Sequence, residues 1–178
     1  PLVRLVRVDW PANFIGKRTA YASHIPLILS DDKKSVLGHL AIQNPQHQEF
    51  SQQQVLVTFQ GPHDYISPSW LQSPGVPTWN YQAVHIYGRA TVFSDQEQLA
   101  NLLAALTEKY ESQFDSPWRP EYADVMLNAI VGVEIGIEEI QCKFKLSQNR
   151  STDDQTSIIK NLTKNNSLEL ALAMKATQ

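Results

Sequence analysis

The apolar positions of this chain fall mostly in the two-residue rhythm of strands, and a helical rhythm takes over in a few later stretches. Residues 2–8 (LVRLVRV) alternate poorly and fit either a helix end or a strand. The apolar run 25–29 (IPLIL) is broken by Asp31-Asp32-Lys33-Lys34 and resumes from Val36 to Ile42, which predicts a hairpin. Asn44-Pro45 ends its second strand, because the residue before proline favours extended or turn geometry. Val55 to Phe59 (VLVTF) reads as a short buried strand. Residues 60–80 carry Gly61, Pro62, Pro68, Pro74, Gly75 and Pro77. Proline cannot donate to a ladder, so this stretch predicts a long loop rather than sheet. Tyr65, Trp70 and Trp79 within it argue for an ordered loop that serves as a ligand wall or a subunit contact.

Tyr81 to Phe93 predicts a long strand, and Gly88 inside it marks a bulge or a point of close approach. Ser94-x-x-Glu97 reads as a capping box, followed by Leu99, Leu102, Leu103 and Leu106 at helical spacing, so a helix is expected over 95–110. A shorter helix is expected over 121–129, after Pro117 and Pro120. From 131 to 146 the alternation is clean. Val131, Val133, Ile135 and Ile137 share one parity, while Ile140, Cys142, Phe144 and Leu146 share the other. The change of phase at Glu138-Glu139 predicts a bulge or bend, because a one-residue insertion exchanges the two faces. Helical patterns return over 153–162 and 168–174. Strands followed by helices, without a βαβ rhythm, predict a mainly β fold. The expected form is an antiparallel barrel with peripheral helices, one domain over 1–178 whose C-terminal helical segment covers 152–178.

Composition narrows the function. A hydrophobic content of 42% over 178 residues supports one real core. The net charge of -3 and a pI near 5.9 work against direct DNA binding, since duplex affinity comes largely from cations on phosphates. A single cysteine, Cys142, rules out an intrachain disulfide and suits a reducing, cytoplasmic compartment. In its alternating strand it reads as a small core residue. No apolar run reaches the roughly 18 residues of a membrane helix. The chain opens on Pro1, which leaves a trimmed leader open.

The hydrolytic and nucleotide motifs are missing: there is no G-x-G-x-x-G, P-loop, G-x-S-x-G or HExxH, and the five histidines lack metal-ligand spacing. Two segments carry chemistry. One is the proline-rich stretch from GPHDYISPSW to VPTWNY. The other is Lys143-Phe144-Lys145-Leu146-Ser147-Gln148-Asn149-Arg150, where a strand ends in a cluster of donors. A phosphate dianion needs cations and N–H or O–H donors, offered by Lys145, Ser147, Asn149 and Arg150. A flat ring needs apolar walls with a few amides and hydroxyls, and Trp70, Trp79, Gln60, Thr78 and Asn80 have that character. A basic strand end is usually a solvated face, and loop aromatics are often a satellite core.

The stretches HIPLIL (24–29), LGHLAIQNPQ (37–46), VTFQGPHDYISPSW (57–70), VPTWNYQAVHIYGR (76–89) and KFKLSQNRS (143–151) together resemble the PaiB family, FMN-binding proteins described as negative transcriptional regulators. That family is a branch of the FMN-binding split-barrel superfamily, which also holds pyridoxamine-phosphate oxidases. The resemblance implies a homodimer with FMN in a cleft between subunits. It places His39, Asn44 and Gln60 on inner barrel strands and Tyr65, Ser67, Trp70, Thr78, Trp79 and Asn80 along the flavin ring. Lys145, Ser147, Gln148 and Asn149 then approach the cofactor from the C-terminal strand. His63 and His85 lie in matched stretches and fit a structural role equally well. The family pattern carries an additional N-terminal segment absent here, and it has an aromatic residue where this chain has Leu71. The expected function is a flavin-linked sensor or regulator. The alternative is an FMN-dependent oxidoreductase acting on a small molecule, although no side chain stands out as its acid or base. A binding module that has lost its cofactor is the third reading.

Overall fold

In the computed structural model, residues 3–7, 22–50, 54–119 and 124–177 are described. Among the described residues seven strands hydrogen-bond in the order β2-β1-β5-β6-β7-β4-β3, and β1 with β2, β1 with β5, β3 with β4 and β4 with β7 pair antiparallel. They are β1 (Val3–Arg7), β2 (Ala22–Ile25), β3 (Ile28–Leu29), β4 (Ser35–Ala41), β5 (Gln54–Ile66), β6 (Thr78–Phe93) and β7 (Ile130–Lys145). The helices are α1 (Gln96–Glu111), α2 (Asp124–Leu127), α3 (Thr152–Lys164) and α4 (Leu168–Lys175). The chain forms two compact units: Pro1–Phe59 with His85–Ile140, and Gln60–Val84 with Gln141–Gln178. Strands β5, β6 and β7 each pass from one unit into the other. Among the described residues no helix is long and apolar enough to cross a membrane.

In the first unit the expected hairpin forms, with Ile28 opposite Leu37 and Leu29 opposite Val36. Its turn is held by Asp32, whose carboxylate accepts from the Ser30 hydroxyl at 2.8 Å and the Lys34 N–H at 3.0 Å. β4 then pairs with β7 along its whole length, from Ser35↔Gly136 to Ala41↔Ile130. The alternation does what a two-residue period requires: Val36 and Leu40 on β4, Val55 and Val57 on β5 and Val131, Val133 and Ile135 on β7 are all buried. Helix α1 buries Leu99, Leu102 and Leu106 along one stripe. Its N-cap is Asp95, which accepts from the Gln98 N–H at 2.9 Å, so the capping box expected at Ser94 is displaced by one residue. A carboxylate two residues before Glu97 is as good an acceptor as the serine and also suits the positive end of the helix dipole. Residues 121–123 of the second predicted helix lie outside the described residues; of the rest, Asp124–Leu127 form α2 and 128–129 are a turn.

Three expectations need correction. Residues 60–66 are strand, the second half of β5, and the loop shrinks to 67–77. Gly61 suits the close approach of the two strands: a Cβ there would stand 3.1 Å from the Gln82 Cβ, tighter than an ordinary contact. Cross-strand pairing overrides the local proline. Cys142 is exposed rather than core. β7 runs unbroken past Glu138-Glu139, but its burial stops at Ile135 and residues 138–144 are all exposed, including Ile140 and Phe144. The alternating apolar face is present in the sequence yet stays exposed among the described residues.

The close approach expected at Gly88 is confirmed. A Cβ added there would collide with the backbone carbonyl of Gly136 on β7, and backbone cannot yield as a flexible side chain does. Gly88→Ala should therefore destabilise the chain by about 1–3 kcal/mol. Urea denaturation checks this, and an unchanged midpoint would mean that the two strands can separate without cost.

Candidate functional site

The second unit is built around a small apolar core. Ile66 at the end of β5, Leu146 just past β7, Ile158, Ile159 and Leu162 of α3, and Leu170, Ala171 and Met174 of α4 bury one another, with Trp70 and Leu71 packed against them. A polar frame is set into that core. Asn80 of β6 has no exposed surface; its amide donates to the Ser147 hydroxyl at 2.9 Å, and the same hydroxyl is 3.1 Å from the Asn80 Oδ1. The Asn80 amide also reaches Met174 Sδ at 3.4 Å. Ser147 sits at φ 61°, the left-handed region that side chains other than glycine adopt only at a cost. This turn ends β7 and feeds α3, whose N-cap Ser151 accepts from the Asp154 N–H at 3.2 Å.

The frame continues to the surface. Lys145 Nζ donates to the Thr78 hydroxyl and, at 2.9 Å, to the Trp79 carbonyl, so the end of β7 is tied to the start of β6. An ammonium has three donors, and this leaves one for another acceptor. Gln148 folds back on its own strand end, accepting from the Leu146 N–H and donating to the Phe144 carbonyl, both at 2.8 Å. Loop 67–77 is pinned at both ends. Ser67 caps the 3₁₀ turn Pro68–Trp70 by accepting from the Ser69 N–H at 3.2 Å, and its hydroxyl lies 2.7 Å from that of Ser69. Asp154, wholly buried, accepts from the Gln72 N–H at 2.6 Å and from the Ser73 hydroxyl, while Arg150 donates to the Pro74 carbonyl at 3.0 Å.

What this frame presents outward is aromatic. The Trp79 side chain is 53% exposed. Tyr65 meets it edge-on, with ring centroids 6.2 Å apart and planes at 72°, and the His63 ring lies 6.5 Å away. Gln60, Lys143 and Asn149 are exposed polar groups of the same unit. The donor set suits a flavin mononucleotide. An exposed indole and phenol match the flat ring, and the spare Lys145 donor, Lys143 and Asn149 match an anion.

The structure brings Gln60, Tyr65, Ser67, Trp70, Thr78, Trp79, Asn80, Lys145, Ser147, Gln148 and Asn149 into one unit. It places His39 and Asn44 in the other. Asn44 is engaged there: its amide donates to the Ser23 hydroxyl at 2.7 Å and its Oδ1 caps the Pro45–Glu49 turn through the Gln46 N–H at 3.0 Å. His39, on β4, lines a cavity of the first unit, and burial pushes its pKa down. Sequence reasoning missed Asp154. The Ser151-x-x-Asp154 spacing signals a helix start, but nothing local says that the carboxylate reaches back to Ser73, 81 residues away.

Residues 12–139 match the family model described as "Putative FMN-binding domain". The protease synthase and sporulation protein PAI 2 of Bacillus subtilis (strain 168) is 45% identical over 149 residues, which covers 79% of this chain and 72% of that one. An uncharacterised protein of Aspergillus fumigatus is 31% identical over 198 residues, covering 80% of this chain and 76% of its own. Among solved structures, the FAD and heme binding protein from Mycobacterium smegmatis superposes with a TM-score of 0.64 at 14% identity, covering 88% of this chain and 71% of that one. The flavocytochrome Anf3 from Azotobacter vinelandii gives 0.55 at 18%, covering 88% and 67%. At such identities the likeness is one of fold, the antiparallel split barrel of flavin-binding proteins.

Hydrogen bonds from Ser73 and from the Gln72 N–H, with smaller help from Arg150, hold the Asp154 carboxyl below the usual carboxylate range against the opposing effect of burial. A depressed folded pKa lends stability that is present above the unfolded value of about 3.9 and lost as pH falls through the folded one. Asp154→Asn should lower the thermal midpoint by several degrees at neutral pH, and its deficit relative to the parent should shrink as pH drops below about 4. Melting curves across that range check it; a deficit that does not vary with pH would show that the charge is irrelevant.

Proposed function

This chain belongs to the FMN-binding domain family, with FMN as its cofactor, and from that premise we propose that it is a flavin-linked regulator that acts as a homodimer. The observation that carries the reading is the exposed Trp79 indole, held by its own carbonyl to Lys145 and flanked by Tyr65. An indole left half in water on a tied-down strand is a platform for a flat ring rather than an accident of packing. Trp79 and Tyr65 would stack on the isoalloxazine, Gln60 and Thr78 would serve its polar edge, and Lys145, Lys143 and Asn149 would take the phosphate. Asn80 and Ser147, buried on each other, hold these groups in place from beneath. The bound flavin supplies redox chemistry; the protein supplies orientation and charge.

Dimerisation is supported by β7. Ile140 and Phe144 are 54% and 47% exposed on the same parity as exposed Cys142, a strand face that a second copy would cover. The regulatory reading rests on kinship with PAI 2, whose name assigns that protein to protease synthesis and sporulation. The charge balance favours action through a protein or metabolite over direct contact with DNA.

The test is uptake of FMN, followed by its absorbance bands. Trp79→Ala and Lys145→Ala should each weaken binding by roughly tenfold or more, and the lysine effect should shrink with added salt. A parent protein that takes up no FMN, or variants that bind it unchanged, would overturn the assignment. Phe144→Glu should shift the solution mass from dimer toward monomer; a parent that is monomeric at every concentration removes the dimer. Flavin that NAD(P)H reduces and a small-molecule substrate reoxidises would favour the oxidoreductase reading over the regulator.

A further inference from the structure

The aromatic cluster of the second unit has a property that holding a flat ligand does not require: its rings pack on one another. Trp79 is 53% exposed, and Tyr65 meets it edge-on with ring centroids 6.2 Å apart. The His63 ring lies 6.5 Å from Trp79 with its plane tilted by 31°. The Trp79–Tyr65 contact is fixed from the backbone on both sides. The Trp79 carbonyl accepts from Lys145 Nζ at 2.9 Å, and the same ammonium donates to the Thr78 hydroxyl. The Tyr65 N–H donates to Asp64 Oδ1 at 2.7 Å, and the other oxygen of that carboxylate accepts from the Ser167 hydroxyl at the start of α4. Rings tied down in this way keep their separation. A relay of electrons requires that, because the rate of transfer falls steeply with the gap between donor and acceptor.

The chemistry of the three side chains sorts their roles. Indole and phenol are easily oxidised, whereas imidazole gives up an electron far less readily, so His63 is no donor. An indole can lose an electron before it loses a proton, and the exposed face of Trp79 has water beside it to stabilise the positive charge. A phenol becomes a strong acid once oxidised, so its proton needs an outlet. Tyr65 is 39% exposed, which puts water within its reach. A flavin that has absorbed blue light is a strong one-electron oxidant, the redox chemistry being the cofactor's and the placement of donors the protein's.

We propose that Trp79 and Tyr65 form a two-step electron relay to the photoexcited flavin, which gives the regulator a light-driven input; this rests on the flavin reading of the same site. Trp79 gives one electron to the excited flavin and becomes a radical cation. Tyr65 then gives one electron to Trp79 and its phenolic proton to water, which restores the indole and leaves a neutral tyrosyl radical. In the dark the electron returns to Tyr65 and the phenol recovers a proton from water, so the cycle closes with no net loss of either.

The test uses the full chain saturated with FMN, with unbound FMN removed by filtration so that only bound flavin is read. Free FMN is strongly fluorescent. Flavin bound to the parent should lose most of that emission, and a blue flash should produce a tyrosyl radical that decays in the dark. Trp79→Phe, which keeps a flat ring but is hard to oxidise, should restore the emission per bound flavin and abolish the radical. Tyr65→Phe should leave the emission quenched, with a shorter-lived tryptophan radical in place of the tyrosyl one. Bound flavin as emissive as free FMN, quenching that Trp79→Phe leaves unchanged, or a tyrosyl radical that persists in Tyr65→Phe would overturn the proposal. If Trp79→Phe takes up no FMN, the flash spectrum of the parent decides, and the absence of any aromatic radical overturns the relay. A parent that takes up no FMN sinks the flavin reading and the relay together, whereas bound but fully emissive flavin sinks the relay alone.

Discussion

The second unit depends on the bond between Asn80 and Ser147. Two polar side chains lie within an apolar core, and each satisfies the other, so neither imposes the desolvation cost of an unpaired group. The pair also holds Ser147 in the left-handed region, a conformation that costs roughly 1–2 kcal/mol for a residue with a Cβ. That conformation is what turns the chain out of β7 and into α3. Without the pair, the end of β7 and the start of β6 would lose the buried one of their two side-chain ties, the other being Lys145 to Thr78 and the Trp79 carbonyl. Lys145 and Trp79, each within two residues of it, would lose their defined positions.

From this constraint the rest of the unit follows in order. The turn sets the start of α3, α3 presents buried Asp154, and Asp154 collects the N–H groups of loop 67–77. Lys145 then ties Thr78 and the Trp79 carbonyl, so the indole projects from a fixed backbone. Binding a flat cofactor on a preorganised platform avoids the cost of ordering it at the moment of binding. The first unit follows another logic: a strand pair with complete register and a helix capped by Asp95.

Much of the fold was legible because periodicity reports burial. The β3–β4 hairpin, β6, α1, α3 and α4 all lie where their apolar spacing puts them. The failures share one cause, which is dependence on distant residues. Gly61 and Pro62 looked like a loop because their partner, Gln82 on β6, is invisible to a local reading. Ile140, Cys142 and Phe144 looked like core because alternation registers an apolar face but not what covers it. At the proposed site the sequence shows residue types but not their partners. Trp79 and Tyr65 are exposed rings as the ring-binding reading requires, whereas Asn80 and Ser147 have the chemistry of ligand contacts but spend it on each other. Composition cannot distinguish a donor facing a ligand from a donor facing its neighbour.

The most direct test of the central claim is hydrogen–deuterium exchange of the full chain with and without FMN. The account predicts that FMN slows exchange in peptides covering 60–80 and 143–150, the β5 and β6 segments around Trp79 and the turn at Ser147. Protection confined to residues outside the second unit, or no protection at saturating FMN, would contradict it.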